Sequence, residues 1–187
     1  SPQFPQFWPD CHAILTRRVT SWAVTSMTKA SLSALVLLAT TMLVTAPVAA
    51  CEVPSDAAAM QQELLTHLNA ERRAAGLAAL KLSPKLEKAA QSLACDNAER
   101  KSISHESSDG ATLKTRLKRV GYAFRTAAEN TGRGFASGKR AVEWWMGSEK
   151  HRTNILLRKV REVGIGIAIS DAPDSKLHWI LDLGASR

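Results

Sequence analysis

Three polar side chains lie at junctions between predicted elements, and their types suit metal binding or acid–base chemistry. His105 follows the second predicted helix, Glu129 precedes a glycine-rich loop, and His151 belongs to the stretch WWMGSEKHRTNIL. Functional side chains gather at such junctions. Spacing alone does not bring these residues together, and each histidine taken singly also fits a capping or surface role.

Helical periodicity predicts four helices ahead of a terminal β-hairpin. The second helix has the clearest start, with Ser83 as N-cap and Pro84 at the first helical position. EVGIGIAIS and LHWILDLG alternate as strands, joined by the turn-rich segment DAPDSK, and a third strand is predicted near residues 122–124 or in AAEN. This order predicts an α+β layered domain in which helices cover a small antiparallel sheet. The predicted helices cover residues 56–75, 83–100, 111–120 and 137–147.

Residues 27–50 are predicted to be a secretory signal peptide. A positively charged start with Met27 and Lys29 is followed by an apolar run over residues 32–44 and by small residues. The alternative is a retained membrane anchor, but the run is short for the roughly 20 residues that span a bilayer. We expect residues 1–26 not to be part of the native chain. The folded domain is then residues 51–187, secreted or periplasmic, with no transmembrane segment after signal cleavage.

The charge of the predicted domain is moderately basic. Residues 51–187 carry 22 Lys and Arg against 16 Asp and Glu, a net charge of +6. This excess favours attraction to anionic envelope polymers or phospholipid head groups. The cluster KTRLKR is interpreted as the solvated face of a helix, and nucleic acid is not an expected partner. The HExxH and GxSxG motifs of common hydrolases are absent from the sequence.

Cys51 and Cys95 are the two cysteines of the predicted domain. In an oxidising compartment they most simply form one disulfide, which would stabilise the fold by about 3 to 4 kcal/mol. A second interpretation remains open, because VAAC resembles a lipobox. Cys51 would then be a lipid-modified N-terminus that anchors the protein, and Cys95 would be a free thiol.

Four ordered blocks carry a resemblance to a known family. They are LLTHLNAERRAAGLAALKLSPKLEKAAQSLACDNAERKSISHESSDG, RLKRVGYAFRTAAEN, AVEWWMGSEKHRTNIL and EVGIGIAI. Together, over about residues 64–184, they resemble the bacterial branch of the CAP superfamily, the SCP-like relatives of cysteine-rich secretory proteins, antigen 5 and pathogenesis-related 1 proteins. The resemblance implies a three-layer α-β-α sandwich. It also implies a cavity in which two histidines and two acidic residues take up a divalent cation.

The resemblance assigns roles to individual residues. His105, Glu129 and His151 match three of the four cation ligands, and zinc is the expected ion. The fourth ligand departs from the pattern, because Ser148 holds its position and Glu149 is one residue out of register. Without a second carboxylate, Mg²⁺ and Ca²⁺ should bind poorly. Structural roles are implied for Asn69, whose amide would satisfy backbone groups, for Arg72, which would pair with a carboxylate, and for Asn154, which would bond nearby backbone.

Three functions remain open at this stage. The leading hypothesis is a CAP-domain binding module at the cell envelope, whose cleft binds a divalent metal or a small ligand. The second is a hydrolase in which His151 or Glu129 activates water against a peptide or cell-wall polymer. The third, implied by eukaryotic members of the family, is a lipid-binding carrier.

Overall fold

The computed structural model describes residues 51–173 and 176–187, which form five helices and four strands. The predicted signal peptide, residues 27–50, and the segment 1–26 lie outside the described residues. No helix in the described ranges is long and apolar enough to cross a membrane. In chain order the elements are α1 (Ala57–Ala74), β1 (Lys81–Leu82), α2 (Pro84–Glu99), α3 (Leu113–Arg119), β2 (Phe124–Arg133), α4 (Gly138–Gly147), α5 (Glu149–Ile155), β3 (Glu162–Ile169) and β4 (Leu177–Ser186).

The strands form one sheet in the order β1-β3-β4-β2. β4 pairs antiparallel with both β3 and β2, so the predicted hairpin and third strand are present. The predicted α+β class is confirmed, but the sheet is mixed, since β1 pairs parallel with β3. β1 contains two exposed residues, Lys81 and Leu82. A strand of two exposed residues has no alternation of apolar and polar positions for the sequence to show.

The two faces of β3 contact different helices, which produces the three layers. Val163, Ile165 and Ile167 are buried in a core that also contains Leu64 of α1 and Trp145 of α4. The residues between them face α2. Because successive strand side chains point to opposite sides, the single run EVGIGIAI supplies both interfaces.

Gly164 and Gly166 are the places where α2 packs closest to the sheet. A Cβ added to Gly164 would lie 2.0 Å from the carbonyl carbon of Leu86, and one added to Gly166 would lie 2.4 Å from that of Ala90. Real Cβ atoms do not approach backbone this closely. The two glycines therefore let α2 lie directly against β3.

A disulfide joins the start of the described chain to α2. The Sγ atoms of Cys51 and Cys95 are bonded, and their Cα atoms are 5.4 Å apart. The backbone N–H of Ile169 donates to the carbonyl oxygen of Glu52 at 2.8 Å, which holds the same segment against the end of β3. The structure thus has the disulfide that the cysteine count favoured.

Arg72 is fully buried in α1, and its partners differ from the predicted carboxylate. Its guanidinium donates to the carbonyl oxygens of Ala78, Ile155, Leu157 and Val160 at 2.7–3.3 Å. The prediction of an ion pair is wrong because the loops around the end of α1 direct backbone carbonyls, and no side-chain carboxylate, at the guanidinium. Burial and the nearby charge of Arg161 lower the pKa of Arg72.

Asn69 lies one turn earlier in α1 and binds the backbone just before β1. Its Nδ2 donates to the carbonyl oxygen of Leu80 at 3.1 Å, and its Oδ1 accepts from the N–H of Leu80 at 2.7 Å. This reciprocal pair satisfies both backbone groups of a buried residue just before β1.

Candidate functional site

His105 and Glu129 are in direct contact. His105 Nδ1 donates to Glu129 Oε1 at 2.8 Å, with 60% of the histidine side chain exposed and 3% of the glutamate side chain exposed. Because a carboxylate accepts, the bond fixes the proton on Nδ1. The Nε2 atom of His105 makes no hydrogen bond within the described ranges, and in the neutral ring it carries the lone pair.

Arg116 pairs with the other oxygen of Glu129. Its Nη2 donates to Glu129 Oε2, and both side chains are 3% exposed. Its Nη1 donates to the carbonyl oxygens of Ala111 at 2.8 Å and His105 at 3.1 Å. Arg116 therefore neutralises a buried carboxylate and holds the loop that carries His105.

The burial of Arg116 corrects the interpretation of KTRLKR. KTRLKR was interpreted as a solvated face, yet Arg116 lies inside the domain. It directly precedes the buried Leu117, so its side chain lies at the border of the apolar face of α3. A cation at such a border is the signal that could have identified it.

Asp182 adds a second buried carboxyl. It lies opposite Glu129 in the antiparallel ladder of β2 and β4 and is fully buried. As a carboxylate it has no hydrogen-bond donor among the residues that the structure describes, whereas as a neutral acid it can donate to Glu129. Burial and the adjacent charge of Glu129 raise the pKa of Asp182 well above its usual value, although Arg116 opposes the shift. The interior therefore favours the protonated form of Asp182.

His151 lies on α5, within electrostatic range of His105. Its Nδ1 and Ser148 Oγ are 2.8 Å apart and share a hydrogen bond. Burial, and then the charges of His105 and Lys150, lower the pKa of His151. The ring is therefore neutral at neutral pH, and its Nε2 has no hydrogen-bond partner in the described part of the chain. We call His105, Glu129, Ser148 and His151 the two-histidine site.

Two aromatic side chains, Trp144 and Phe135, border this site. The ring centroids of Trp144 and His151 are 5.1 Å apart, and those of Trp144 and Phe135 are 5.4 Å apart. Trp144 is 51% exposed. Trp145 and Ile155, by contrast, are fully buried and anchor the two helices, with Trp145 Nε1 donating to the carbonyl oxygen of Thr131 at 3.0 Å.

Two asparagines fix α5 to β2 beside Glu129. Asn154 Nδ2 donates to the carbonyl oxygen of Glu129 at 3.1 Å and to Asn130 Oδ1 at 2.9 Å. Asn130 Nδ2 donates to the carbonyl oxygen of His151 at 3.1 Å. Arg152 is exposed and bonds the carbonyl oxygen of Met146. The stretch HRTN thus combines an imidazole for the site with an amide that holds the helix in place.

The expected three-ligand metal set is not assembled. Both oxygens of Glu129 are engaged, one by His105 and one by Arg116, so the carboxylate lies behind the imidazole. Within residues 51–173 and 176–187, no group of three or more His, Cys, Asp or Glu is arranged to hold a metal ion. Glu149 is exposed in the first turn of α5. The Nε2 atoms of His105 and His151 remain as candidate ligands, and each ring makes a hydrogen bond at Nδ1.

Fold and sequence together define the class of protein. The family model described as "Cysteine-rich secretory protein family", the CAP family, matches residues 65–183. This match covers more than half of the chain, so the chain belongs to the CAP family and the expected resemblance is confirmed.

Two proteins of Bacillus subtilis (strain 168) are each 31% identical to the chain. YkwD aligns over 113 residues, which are 60% of this chain and 44% of the relative. The membrane protein YlbC aligns over 107 residues, which are 57% of this chain and 31% of the relative. The chain therefore spans less than half the length of these curated relatives.

Solved structures show the same fold. An extracellular protein containing an SCP domain from Bacillus anthracis has a TM-score of 0.60 and 27% identity, over 68% of this chain and 40% of that one. An outer surface protein from Borrelia burgdorferi has a TM-score of 0.64 and 19% identity, over 74% of this chain and 100% of that one. The second likeness concerns the fold alone.

Proposed function

We propose that this chain is an exported CAP-domain binding module whose two-histidine site binds a ligand through the Nε2 atoms of His105 and His151. One observation carries the proposal: the Nδ1 of each ring is engaged, by Glu129 at 2.8 Å and by Ser148 at 2.8 Å. A ring held at one nitrogen presents the other in a fixed direction. Two such rings within electrostatic range of each other form a preorganised pair of donors.

Zn²⁺ is the ion that best fits these donors. Imidazole nitrogens suit zinc, whereas Mg²⁺ and Ca²⁺ prefer oxygen ligands, and both oxygens of Glu129 are already engaged by His105 and Arg116. Glu129 behind His105 reproduces the carboxylate–histidine pairing that orients zinc ligands. A bound zinc would supply a Lewis acid with coordination positions left for water or for a donor group of a second ligand.

Export and a location at the cell envelope are supported by two observations. The Cys51–Cys95 disulfide is the kind of bond that persists in oxidising compartments. The Bacillus anthracis protein, 27% identical over the aligned part, is extracellular.

A calorimetric zinc titration of the oxidised chain at pH 7.5 tests the site. His105→Gln and His151→Gln should each weaken zinc binding about tenfold or more, because each removes one of two ligands. His67→Gln on α1 removes a histidine outside the site and is the matched control. Equal zinc affinity in the wild type and in both site variants would remove the proposal.

A hydrolase is the second candidate, favoured by the 2.8 Å contact between Ser148 Oγ and His151 Nδ1. A hydroxyl within hydrogen-bond reach of a neutral imidazole is the first requirement of a nucleophile–base pair. A panel of peptides and peptidoglycan fragments tests it. Turnover that Ser148→Ala abolishes and Thr153→Ala preserves would favour catalysis. Absence of turnover by the wild type would leave the binding module as the proposed function.

A further inference from the structure

A basic hollow lies at the end of the sheet where β2 begins and β4 ends. It has a volume of about 390 Å³ and is lined by Arg125, Thr126, Lys159 and Ala185. Both cationic side chains belong to exposed residues. We call this site the basic hollow.

The backbone explains why separate cations meet at this hollow. The register of β2 against β4 shifts between Phe124 and Thr126, which marks a bulge at Arg125. Bulges redirect a side chain out of the regular alternation. The N–H of Arg161 donates to the carbonyl oxygen of Gly184 at 2.8 Å, which brings the segment carrying Lys159 beside the end of β4.

Arg125 is held in a way that leaves its binding face open. Its Nε donates to the carbonyl oxygen of Ser186 at 3.1 Å. Its two terminal nitrogens make no hydrogen bond to any residue that the structure describes. A guanidinium fixed at Nε presents a planar pair of N–H donors, the geometry that binds two oxygens of one phosphate.

More positive charge surrounds the hollow, and it is held by backbone carbonyls. Arg187 Nε donates to the carbonyl oxygen of Phe124 at 3.2 Å, and Arg161 Nη1 donates to that of Val160 at 2.9 Å. Among the described residues no carboxylate lies within salt-bridge distance of the cations at this end of the sheet, which are Arg125, Arg158, Lys159, Arg161 and Arg187. The nearby Glu162 carboxylate instead accepts from the hydroxyl of Tyr122 and the N–H of Ser186.

We infer that the basic hollow is a binding site for a phosphate group, in which the guanidinium of Arg125 takes two oxygens and Lys159 supplies a point charge. The Thr126 hydroxyl, which has no hydrogen-bond partner in the described ranges, is a further donor. A phosphate suits this set better than a carboxylate, because it has more acceptor oxygens and more charge to place among two cations and a hydroxyl. The inference is independent of the two-histidine site.

The test is a titration of the oxidised full chain with inorganic phosphate at low ionic strength, followed by NMR or calorimetry. We expect saturable binding that weakens about tenfold or more in Arg125→Gln/Lys159→Gln, because charged hydrogen bonds are lost. Lys139→Gln/Arg140→Gln removes the same net charge on α4 and should change the affinity less than about twofold. Arg125→Lys keeps the charge but loses the two parallel N–H donors of the guanidinium. Its phosphate affinity should therefore lie between those of the wild type and the double variant.

A second arm distinguishes the source of the phosphate. Co-sedimentation with phosphatidylglycerol vesicles, against phosphatidylcholine vesicles, with the same dependence on Arg125 and Lys159 would assign a lipid head group. Binding of inorganic phosphate alone would assign a soluble phosphate. No saturable binding in either arm, or equal weakening by both double variants while circular dichroism shows all variants folded, would overturn the inference.

Discussion

Glu129 and Asp182 lie directly opposite each other on β2 and β4, so that two carboxyl groups share the interior with the guanidinium of Arg116. Two buried carboxyls with one guanidinium cannot both ionise cheaply. Burial and the charge of Glu129 favour the protonated form of Asp182. Glu129 pairs with Arg116 and accepts from His105. The direction in which His105 presents Nε2 therefore depends on a residue that contacts no ligand.

Asp182→Asn tests this division of charge. The pKa of Asp182 is raised on folding, so the folded state binds the proton more tightly, and wild-type stability falls as pH rises above about 4. An asparagine has no such proton to lose. The variant should therefore gain stability relative to the wild type between pH 4 and pH 7.5 in urea unfolding.

Asp96→Asn provides a control of opposite sign. Burial works against ionisation of Asp96, but hydrogen bonds from Ser108 and Arg100 lower its pKa overall. The wild type should therefore gain stability over this variant as the pH rises from the folded pKa of Asp96 to about 4. Parallel pH profiles for the wild type and Asp182→Asn would contradict the neutral Asp182.

Arg116→Met should destabilise the fold by about 3–5 kcal/mol, because it removes one partner of the buried ion pair with Glu129. Arg119→Met is the matched control. Arg119 pairs with Asp109 on the surface at 2.6 Å, where solvent screens the pair, so its loss should change stability much less. Chemical unfolding measures both changes. The double variant Arg116→Met/Glu129→Gln should recover part of the loss, and a loss of the same size in the double variant would disprove the electrostatic cause.

The sequence predicted the elements better than the contacts between them. The positions of Ser83, Pro84 and the apolar residues are local signals, and α2 begins where they place it. Asp182 lies in a strand whose apolar neighbours predict burial, but its partner Glu129 is far away along the chain. Only the register of β2 against β4 brings the two together.

The sequence proposed residues for the candidate site, and their role as metal ligands stays a prediction. The resemblance identified His105, Glu129 and His151, and the structure places the first two in contact and the third near them. No sequence pattern could show that Arg116 occupies the second oxygen of Glu129, since that depends on how α3 packs. Glu129 was expected to be a metal ligand, but in the structure its two oxygens contact His105 and Arg116.

Gly164→Ala should destabilise the fold at the upper end of about 1–3 kcal/mol, because the new Cβ meets the backbone of Leu86 and α2 must move. Gly147→Ala at the end of α4 is the control, since a Cβ there has no atom within 4 Å. Thermal unfolding of both variants measures the difference. Equal melting temperatures would mean that α2 does not lie against β3 as closely as described.

Protonation of His151 should make the stability of the fold depend on pH. Its pKa is lowered on folding, first by burial and then by the charges of His105 and Lys150, so the folded state binds the proton less tightly. Stability should therefore be lost as pH falls from about 6.5 toward the folded pKa of His151. Urea unfolding between pH 7.5 and pH 5 should show a shallower loss of stability in His151→Gln than in the wild type. His178 is also buried with a lowered pKa, so some loss of stability with falling pH should remain in every variant. If His151→Gln loses stability as steeply as the wild type, the ring is not a neutral donor held in the site.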